Sequence, residues 1–587
     1  MTEAVISFKE EDRIGRVAAV DTSRVLISVD SHQHMANLAV GNLIAVQGRT
    51  AREYLIGLVE RATRSVTERL LTDDADAAGN IPLGEVQEDQ IKVVLIGTYR
   101  SVDGEQSNTF KRGADAFPQI DRNCYWITGV NLQGFMNLIS QNVEESERMC
   151  LGHFVADQTA VAIAHGDRFF QRHAAILGST GSGKSWAVAL VLERAASLKF
   201  PNLIVFDMHG EYAPLCNGEN AIAQQFRIAG PGDLDAPDEQ SLFLPYWLLN
   251  REEMLAMILD RSDDNAPNQA ARFTEHVRVL KEGTLQRLEK MDVLPTFTVD
   301  SPIPYSADDL VALLNADNTQ RVEGAKAGTD KAGPWYEKLT RFIVRLKAKM
   351  EDRRYGFMFQ PPAEAENYDW LAGMLGRLFA ASENDHGIKV IDFSEVPSDV
   401  LPIVTGVLAR LLYNVQFWME PDLRHPLTIV CDEAHLYLPV RDAAEAAERR
   451  ALESFERVAK EGRKYGVSLL VVSQRPSDVS RTILSQCNNF LVLRLTNDQD
   501  QNVVKRLMPE SMDGITDILP LLDTGEALLL GDSILLPTRI RLDKPKTPPA
   551  SATRQFWTDW ANKQPDPLAV VRAVETLRRQ TRISNED

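Results

Sequence analysis

The chain has 587 residues, of which 64 are lysine or arginine and 83 are aspartate or glutamate, so its formal net charge is −19. A hydrophobic fraction of 44% and a charged fraction of 25% are typical of a folded globular protein and exclude wholesale disorder. The acidic balance argues against a protein that coats nucleic acid with a generally basic surface, but it leaves room for a narrow basic lining that holds DNA.

The five cysteines are scattered and form no CxxC pair, which argues against a disulfide framework or a zinc ribbon. The N-terminus has no basic stretch followed by an apolar one, so it does not resemble a secretory signal. Nor does the sequence contain a run of about 18 apolar residues, the length that a transmembrane helix needs. We therefore expect a cytoplasmic protein without a membrane anchor.

The first part of the chain, residues 1–150, is predicted to form a small antiparallel β-barrel or sandwich. Its apolar and β-branched segments are short and are separated by Gly, Asp and Asn, as in RIGRVAAVDTSRVLISVD, NLIAVQG and IKVVLIGTYR. Short strands at close spacing are typical of these architectures.

From residue 173 onward the pattern becomes α/β. Helical segments alternate with apolar segments typical of buried strands, namely HAAILG, NLIVFD, KVIDFS, LTIVCDE, VSLLVVSQ and NFLVLRL. This alternation predicts a mostly parallel sheet with helices on both faces. We assign the α/β core to residues 151–240 and 386–545.

Residues 241–385 carry helical periodicity without a convincing central strand and are predicted to be a helical insertion. One of its helices has a basic stripe with a four-residue repeat, formed by Arg341, Arg345, Lys349 and Arg353. The stripe is either a face that follows phosphates or a flank paired with neighbouring acidic residues. Residues 546–587 are predicted to be a linker and a helical tail.

The strongest motif is GSTGSGKS, which fits GxxxxGK[ST] and lies between a predicted strand and a predicted helix. Its glycines let backbone N–H groups turn toward phosphates at a helix N-terminus. Lys184 is expected to reach the β- and γ-phosphates, and the Ser185 hydroxyl to ligate Mg²⁺. A nucleoside triphosphate is therefore predicted to bind at Gly178, Ser179, Thr180, Gly181, Ser182, Gly183, Lys184 and Ser185.

The second motif is LTIVCDEAH, in which Asp432 and Glu433 end an apolar strand. A carboxylate at this place holds Mg²⁺ in the Walker B role, and the next one serves as the general base for the attacking water. Acidic pairs after apolar strands are also common structural features. Together with the P-loop, however, this pair favours hydrolysis of the nucleotide.

Three further polar residues are candidates for the site. Gln474 ends the strand VSLLVVS and is placed to sense the γ-phosphate and orient water. Arg463 and, second, Arg172 are candidates for an arginine finger that a neighbouring subunit presents. A solvated basic turn is the alternative for Arg463, and an ordinary surface arginine is the alternative for Arg172.

Taken in order, six segments resemble the HerA ATPases of the HerA/FtsK superfamily: RHAAILGSTGSGKS, IVFDMHGEY, KVIDFSEV, IVCDEAHLYLP, AKEGRKYGVSLLVVSQRPSDV and ALLLGDSILLPTRIRL. The resemblance runs through most of the chain. It implies a RecA-like P-loop core with an additional strand before the Walker B strand and with a catalytic Glu. It also implies the family's N-terminal barrel and its helical insertion.

The resemblance further implies a homohexameric ring that hydrolyses ATP with Mg²⁺ and translocates double-stranded DNA through its central channel. Members work with a NurA-like nuclease or, in anti-phage defence, with sirtuin-like or other effectors. Asp207 in DMHGEY matches a family motif, either as support for water and metal or as a structural cap. Trp557 and Trp560 are expected to brace an adjacent subunit or to pack on the chain's own core.

Three other functions share features with this sequence. DEAH-box RNA helicases share the string DEAH, but here 248 residues separate Lys184 from Asp432, far more than in those enzymes. A conjugative coupling or pilus ATPase is disfavoured because no membrane anchor is predicted. An ATP-regulated hexameric scaffold that activates a separate effector enzyme stays open as the alternative function.

Overall fold

The computed structural model describes the chain in segments, which are residues 4–21, 24–70, 83–103, 106–113, 116–141, 143–155, 157–323, 330–379, 387–442, 444, 446–507, 516–551 and 554–580. In these segments the strands are β1 (Arg13–Asp21), β2 (Arg24–Val29), β3 (Leu43–Gln47), β4 (Glu53–Leu70), β5 (Leu83–Asp103), β6 (Gln106–Arg112), β7 (Asn123–Trp126), β8 (Arg148–Phe154), β9 (Asp157–His165), β10 (Ala174–Leu177), β11 (Leu203–Asp207), β12 (Ala223–Ile228), β13 (Ser241–Leu242), β14 (Arg321–Glu323), β15 (Asp330–Ala332), β16 (Ile388–Asp392), β17 (Leu427–Cys431), β18 (Val467–Ser473), β19 (Asn489–Val492), β20 (Glu526–Gly531) and β21 (Thr538–Leu542).

The α-helices of the described segments are α1 (His32–Asn37), α2 (Gly129–Gln141), α3 (Gly166–Gln171), α4 (Lys184–Ala196), α5 (Arg251–Ile258), α6 (Ala266–Arg287), α7 (Ala307–Thr319), α8 (Thr340–Glu351), α9 (Gly356–Phe359), α10 (Trp370–Phe379), α11 (Leu401–Trp418), α12 (Ala446–Glu461), α13 (Arg481–Leu484), α14 (Asp498–Leu507), α15 (Phe556–Asn562) and α16 (Pro567–Arg579). None of the helices in the described segments combines the length and apolar character needed to cross a membrane.

The chain forms two compact units. Unit 1 comprises Met1–Arg194, Ser473–Ser477 and Leu484–Lys546, and unit 2 comprises Ala195–Val472, Asp478–Ile483 and Thr547–Asp587.

Unit 1 begins with a closed antiparallel barrel, as the N-terminal pattern predicted. Its strands follow the order β2-β1-β7-β3-β4-β5, and pairing of β2 with β5 closes the ring. Val17, Ile44 and Val93 are fully buried in its core. Closure pairs each of these six strands on both sides, and β6 pairs with β5 as an additional strand of the same sheet.

The second sheet of unit 1 carries β10, the strand that precedes the P-loop. It has the order β10-β19-β20-β21-β8-β9, in which β10 and β19 are parallel and the following neighbours are antiparallel. The sequence predicted β10 and β19, and both are confirmed. It did not predict the antiparallel extension.

Unit 2 contains a parallel sheet with the strand order β13-β12-β16-β11-β17-β18. Every residue of β11, β17 and β18 is buried, as expected for strands that helices cover on both faces. Four strands of this sheet, β11, β16, β17 and β18, were predicted. The edge strand β13 and its neighbour β12 were not, because AQQFRI contains polar residues and SL is too short for a pattern.

The insertion in unit 2 is helical, with α5–α10 and a short hairpin of β14 and β15. Its basic stripe is paired with acidic side chains of the same unit, in the ion pairs Arg341–Asp263 (3.9 Å), Arg345–Asp260 (2.8 Å), Lys349–Asp399 (3.3 Å) and Arg353–Asp235 (2.6 Å). These contacts support the interpretation of the stripe as a paired flank rather than as a phosphate-binding face.

The C-terminal helices α15 and α16 are exposed to solvent. Trp557 is 84% and Trp560 73% exposed, and α16 has no buried residue. Exposed aromatic and aliphatic side chains in a row are typical of a segment that binds another surface.

Candidate active site

The P-loop of unit 1 has the backbone shape that phosphate binding requires. β10 ends at Leu177, α4 begins at Lys184, and between them Gly181 and Gly183 have φ angles of 74° and 102°. A side chain at either position would be strained in this left-handed region, so glycine is required there. The turn leads directly into the helix N-terminus, where free N–H groups bind anions.

The loop is anchored by backbone hydrogen bonds. Gly178 N–H donates to the Ser473 carbonyl (3.3 Å), and Ser179 N–H donates to the Arg494 carbonyl (2.8 Å). Lys184 is only 8% exposed, and the Ser182 hydroxyl is fully buried without a hydrogen-bond partner in the described segments. A buried lysine and an unsatisfied hydroxyl in a glycine-rich turn fit a bound triphosphate.

Gln474 contacts the P-loop directly. The Thr180 hydroxyl donates a hydrogen bond to Gln474 Oε1 (2.6 Å). With the amide oxygen held in this way, the amide nitrogen of Gln474 is left to donate elsewhere. Sequence reasoning placed both residues in the site but missed their contact, since the motif gives Thr180 no role of its own.

Arg172 is engaged within unit 1. Its guanidinium forms an ion pair with the Asp532 carboxylate, and the Asn488 side chain also donates to Asp532 (3.3 Å). This ion pair ties the residue before β10 to the turn after β20. It supports the alternative interpretation of Arg172 as a structural arginine.

The carboxylates of unit 2 gather where β11 and β17 end. Asp432 is 5% exposed; burial, followed by the nearby charges of Glu433, Asp207 and Glu211, raises its pKa well above the usual range. A cation at this place would remove the cost of burying the charge. Carboxylate oxygens are ligands that Mg²⁺ prefers, so the donor set fits the metal.

In the described segments, no group of three or more His, Cys, Asp or Glu side chains converges on a metal position.

Glu433 has an unusual backbone and an unsatisfied side chain. Its φ and ψ angles are 43° and 45°, which is the left-handed region and costs a residue other than glycine about 1–3 kcal/mol. Its Oε2 atom is buried and accepts no hydrogen bond from the described residues, although His435 Nδ1 lies 3.3 Å away. A strained residue with a free buried oxygen is placed to accept a proton.

Asp207 holds the turn that follows β11. Its Oδ1 accepts hydrogen bonds from the backbone N–H groups of His209 (3.2 Å) and Glu211 (3.1 Å), and its Oδ2 accepts one from Tyr212 N–H (2.9 Å). Burial raises the pKa of Asp207 to about 6, although these hydrogen bonds act in the opposite direction. The contacts support the structural interpretation of Asp207 as a cap.

Tyr212 is a residue that the sequence reasoning missed. Its ring is fully buried, and its hydroxyl has no hydrogen-bond partner among the described residues. The charges of Asp432, Asp207 and Glu211 all act on this hydroxyl. Tyr212 ends the segment DMHGEY, so its position in that motif could have drawn attention to it. The motif alone, however, does not distinguish a site tyrosine from a core tyrosine.

Arg463 lies in the short helical turn Gly462–Tyr465 that precedes β18. It is exposed, and its guanidinium makes no hydrogen bond or ion pair with the described residues. A Cβ atom on Gly462 would lie 2.4 Å from the Val467 carbonyl oxygen, so glycine is needed for this turn. The turn thus presents Arg463 to solvent.

Comparison with known proteins agrees with these features. The family model described as "Helicase HerA, central domain" matches residues 149–412. The probable DNA double-strand break repair helicase HerA of Methanocaldococcus jannaschii is 34% identical over 424 residues, which cover 67% of this chain and 76% of that protein. The chain belongs to the HerA family.

The DNA double-strand break repair helicase HerA of Pyrococcus furiosus is 24% identical over 400 residues, which cover 63% of this chain and 65% of that protein. Among solved structures, VirB4 of Thermoanaerobacter pseudethanolicus covers 71% of this chain and 99% of its own, with a TM-score of 0.45 and 16% identity. As a member of the HerA family, the protein is a P-loop ATPase that hydrolyses ATP with Mg²⁺.

The role of Asp207 as a cap gives a stability prediction. Asp207→Ala removes the acceptor of three backbone N–H groups and is expected to lower the free energy of unfolding by about 2–4 kcal/mol. Urea unfolding monitored by circular dichroism measures the change. Asp422→Ala, which alters an exposed aspartate, is the control and should change stability by less than about 0.5 kcal/mol. Equal stability of the two variants would contradict the capping role.

Proposed function

We propose that this HerA-family chain is an ATP-driven motor that translocates or unwinds double-stranded DNA as a homohexameric ring in the cytoplasm. The observation that carries the proposal is the presence in one chain of a formed P-loop and of Glu433, which follows an apolar strand and has a buried Oε2 atom without a hydrogen-bond partner among the described residues. The first feature fits ATP binding, and the second fits a general base that activates the attacking water. The relatives support the substrate, since their names describe DNA double-strand break repair helicases.

The proposed roles of the residues follow from their chemistry. The backbone N–H groups of the P-loop that make no hydrogen bond with the described residues, such as those of Gly181 and Gly183, would bind the phosphates. Lys184 would contact the β- and γ-phosphates, and Ser185 and Asp432 would hold Mg²⁺. When bound, Mg²⁺ neutralises charge on the phosphate oxygens. Glu433 Oε2 takes the proton of the attacking water, and Gln474, held by Thr180, orients that water through its amide nitrogen.

Arg463 is the better candidate for the arginine that acts on a neighbouring subunit's nucleotide. It is exposed and unpaired within the described residues, whereas Arg172 is bound to Asp532. A guanidinium that acts in trans has to reach beyond its own chain, and an intramolecular ion pair competes with that contact. We therefore rank Arg463 first and Arg172 second.

We assign residues 1–150 to the HerA-type barrel, 151–240 and 386–545 to a RecA-like core, 241–385 to the insertion and 546–587 to a bracing tail. The exposed apolar side chains of α15 and α16 support the last assignment and the ring, because such a surface needs a partner. The effector that works with the ring is proposed to be a NurA-like nuclease or a sirtuin-like enzyme.

Two substitutions test the catalytic assignment. Lys184→Ala is expected to abolish ATP binding and hydrolysis, because the phosphates lose their principal cation. Glu433→Gln is expected to lower kcat by a factor of about 100 or more while ATP still binds, because only proton acceptance is lost. Phosphate release and the binding of a fluorescent ATP analogue measure the two quantities.

The control for this pair is Glu448→Gln, which makes the same change in charge and shape on α12 and should leave kcat unchanged. Full turnover in Glu433→Gln would overturn the assignment of the base.

The contact between Thr180 and Gln474 gives a second test. Thr180→Val keeps the shape of the side chain but removes the hydroxyl, so Gln474 loses its anchor and kcat should fall about ten-fold with little change in KM. Thr180→Ser keeps the hydroxyl and should retain most of the activity. Steady-state ATPase assays measure both variants. If Thr180→Val and Thr180→Ser are equally active, the hydroxyl does not position Gln474.

A further inference from the structure

Unit 2 contains a cavity of about 630 Å³ whose lining is rich in arginine. The lining residues are Arg261, Arg441, Asp442, Arg449, Arg450 and Glu453. Arg261 follows α5 in the insertion, whereas the others lie between the end of β17 and the first turns of α12. Four arginines and two acidic residues line the cavity, and Glu252 and Glu456 contact these arginines from outside the lining.

Two of these arginines are held in place by acidic side chains. Arg450 contacts Glu453 (2.9 Å) and Glu252 (3.1 Å). Arg441 contacts Glu456 (3.0 Å) and also Glu453 (3.6 Å). Side chains fixed in this way lose less entropy when they bind a ligand.

The other two arginines have most of their donors available. Arg449 donates only from Nε, to the Ala444 carbonyl (2.8 Å), in the described segments. Arg261 lies 4.0 Å from Glu252, beyond hydrogen-bond distance, and its side chain is 57% exposed. Each guanidinium can therefore offer two parallel N–H groups to an anion.

The position of α12 increases the positive potential of the cavity. This 16-residue helix begins at Ala446, so Arg449 lies in its first turn and Arg450 follows directly. Cations at a helix N-terminus are unfavourable because the helix dipole is positive there. A bound anion would reduce the repulsion between the arginines and their repulsion from the positive end of the helix dipole.

We propose that this arginine pocket, formed by Arg261, Arg441, Arg449 and Arg450, binds phosphate groups of the DNA backbone. Arginine forks match the geometry of phosphate oxygens, and the cavity has the size of a small-ligand site. That the phosphates belong to DNA rests on the proposed function. The proposal places the main DNA contact at Arg261 and Arg449, most of whose donors are available, and not on the basic stripe of the insertion, whose cations are paired.

The test compares two double variants that remove the same charge. Arg261→Gln/Arg449→Gln alters the pocket, and Arg345→Gln/Arg353→Gln alters two exposed arginines of the basic stripe, one on α8 and one in the turn that follows it. Fluorescence anisotropy measures the binding of a labelled duplex of random sequence between 50 and 200 mM salt, about the range over which phosphate contacts are lost. Melting temperature and basal ATPase activity report whether each variant is folded.

The pocket variant is expected to bind duplex DNA at least about ten-fold more weakly than the wild-type chain. Its slope of log K against log salt should decrease by about two, one for each lost phosphate contact. The control variant should keep the wild-type affinity and slope to within about a factor of two, because its arginines already have partners. Equal losses in the two variants would overturn the pocket assignment.

Titration with inorganic tripolyphosphate in a Lys184→Ala background separates the possible sources of phosphate. If the pocket variant loses tripolyphosphate binding but keeps DNA binding, the pocket takes free polyphosphate and the DNA assignment is wrong. If both ligands bind unchanged, the pocket is not a phosphate site. If the wild-type chain binds no duplex DNA at all, the proposed function fails, and the tripolyphosphate titration still tests the pocket.

Discussion

The burial of negative charge at the carboxyl end of the parallel strands is the constraint on which the rest of the site depends. A carboxylate removed from water needs compensation by hydrogen bonds or by a cation. Asp207 receives it from three backbone N–H groups. Asp432 is buried among other carboxylates, and Glu433 has a buried oxygen without a hydrogen-bond donor in the described segments. In the proposed function, Mg²⁺ and the attacking water supply this compensation when the nucleotide is bound.

The sequence alone predicted the part of the fold in which local pattern and tertiary environment agree. Strands such as Leu203–Asp207 and Leu427–Cys431 are continuous apolar runs because helices cover both faces of the sheet. The strand Ala223–Ile228 escaped prediction because it lies near the sheet edge, where polar residues are tolerated. The P-loop was recognisable because its backbone geometry dictates glycine at fixed positions.

What the sequence did not predict depends on contacts between distant residues. The ion pair of Arg172 joins residues that are 360 positions apart, and it supports the ranking of Arg463 above Arg172. Arg261 lines the same cavity as Arg449 and Arg450 of α12, although most of the insertion and several strands separate them in the sequence. No periodicity marks such encounters, since chain folding alone brings the residues together. The basic stripe of the insertion shows the opposite case. Its four-residue repeat is clear in the sequence, but the acidic side chains that pair with it come from other parts of the chain and cannot be found from the repeat.

The acidic net charge of −19 and the DNA substrate are compatible if phosphate contacts are few and concentrated. The most direct test of the motor is displacement of a third strand from a DNA triplex, which requires movement along the duplex. The wild-type chain with ATP and Mg²⁺ is predicted to release the third strand, and the same chain without ATP is predicted to leave it bound. ATP hydrolysis without displacement of the strand would contradict the motor and favour an ATP-regulated scaffold.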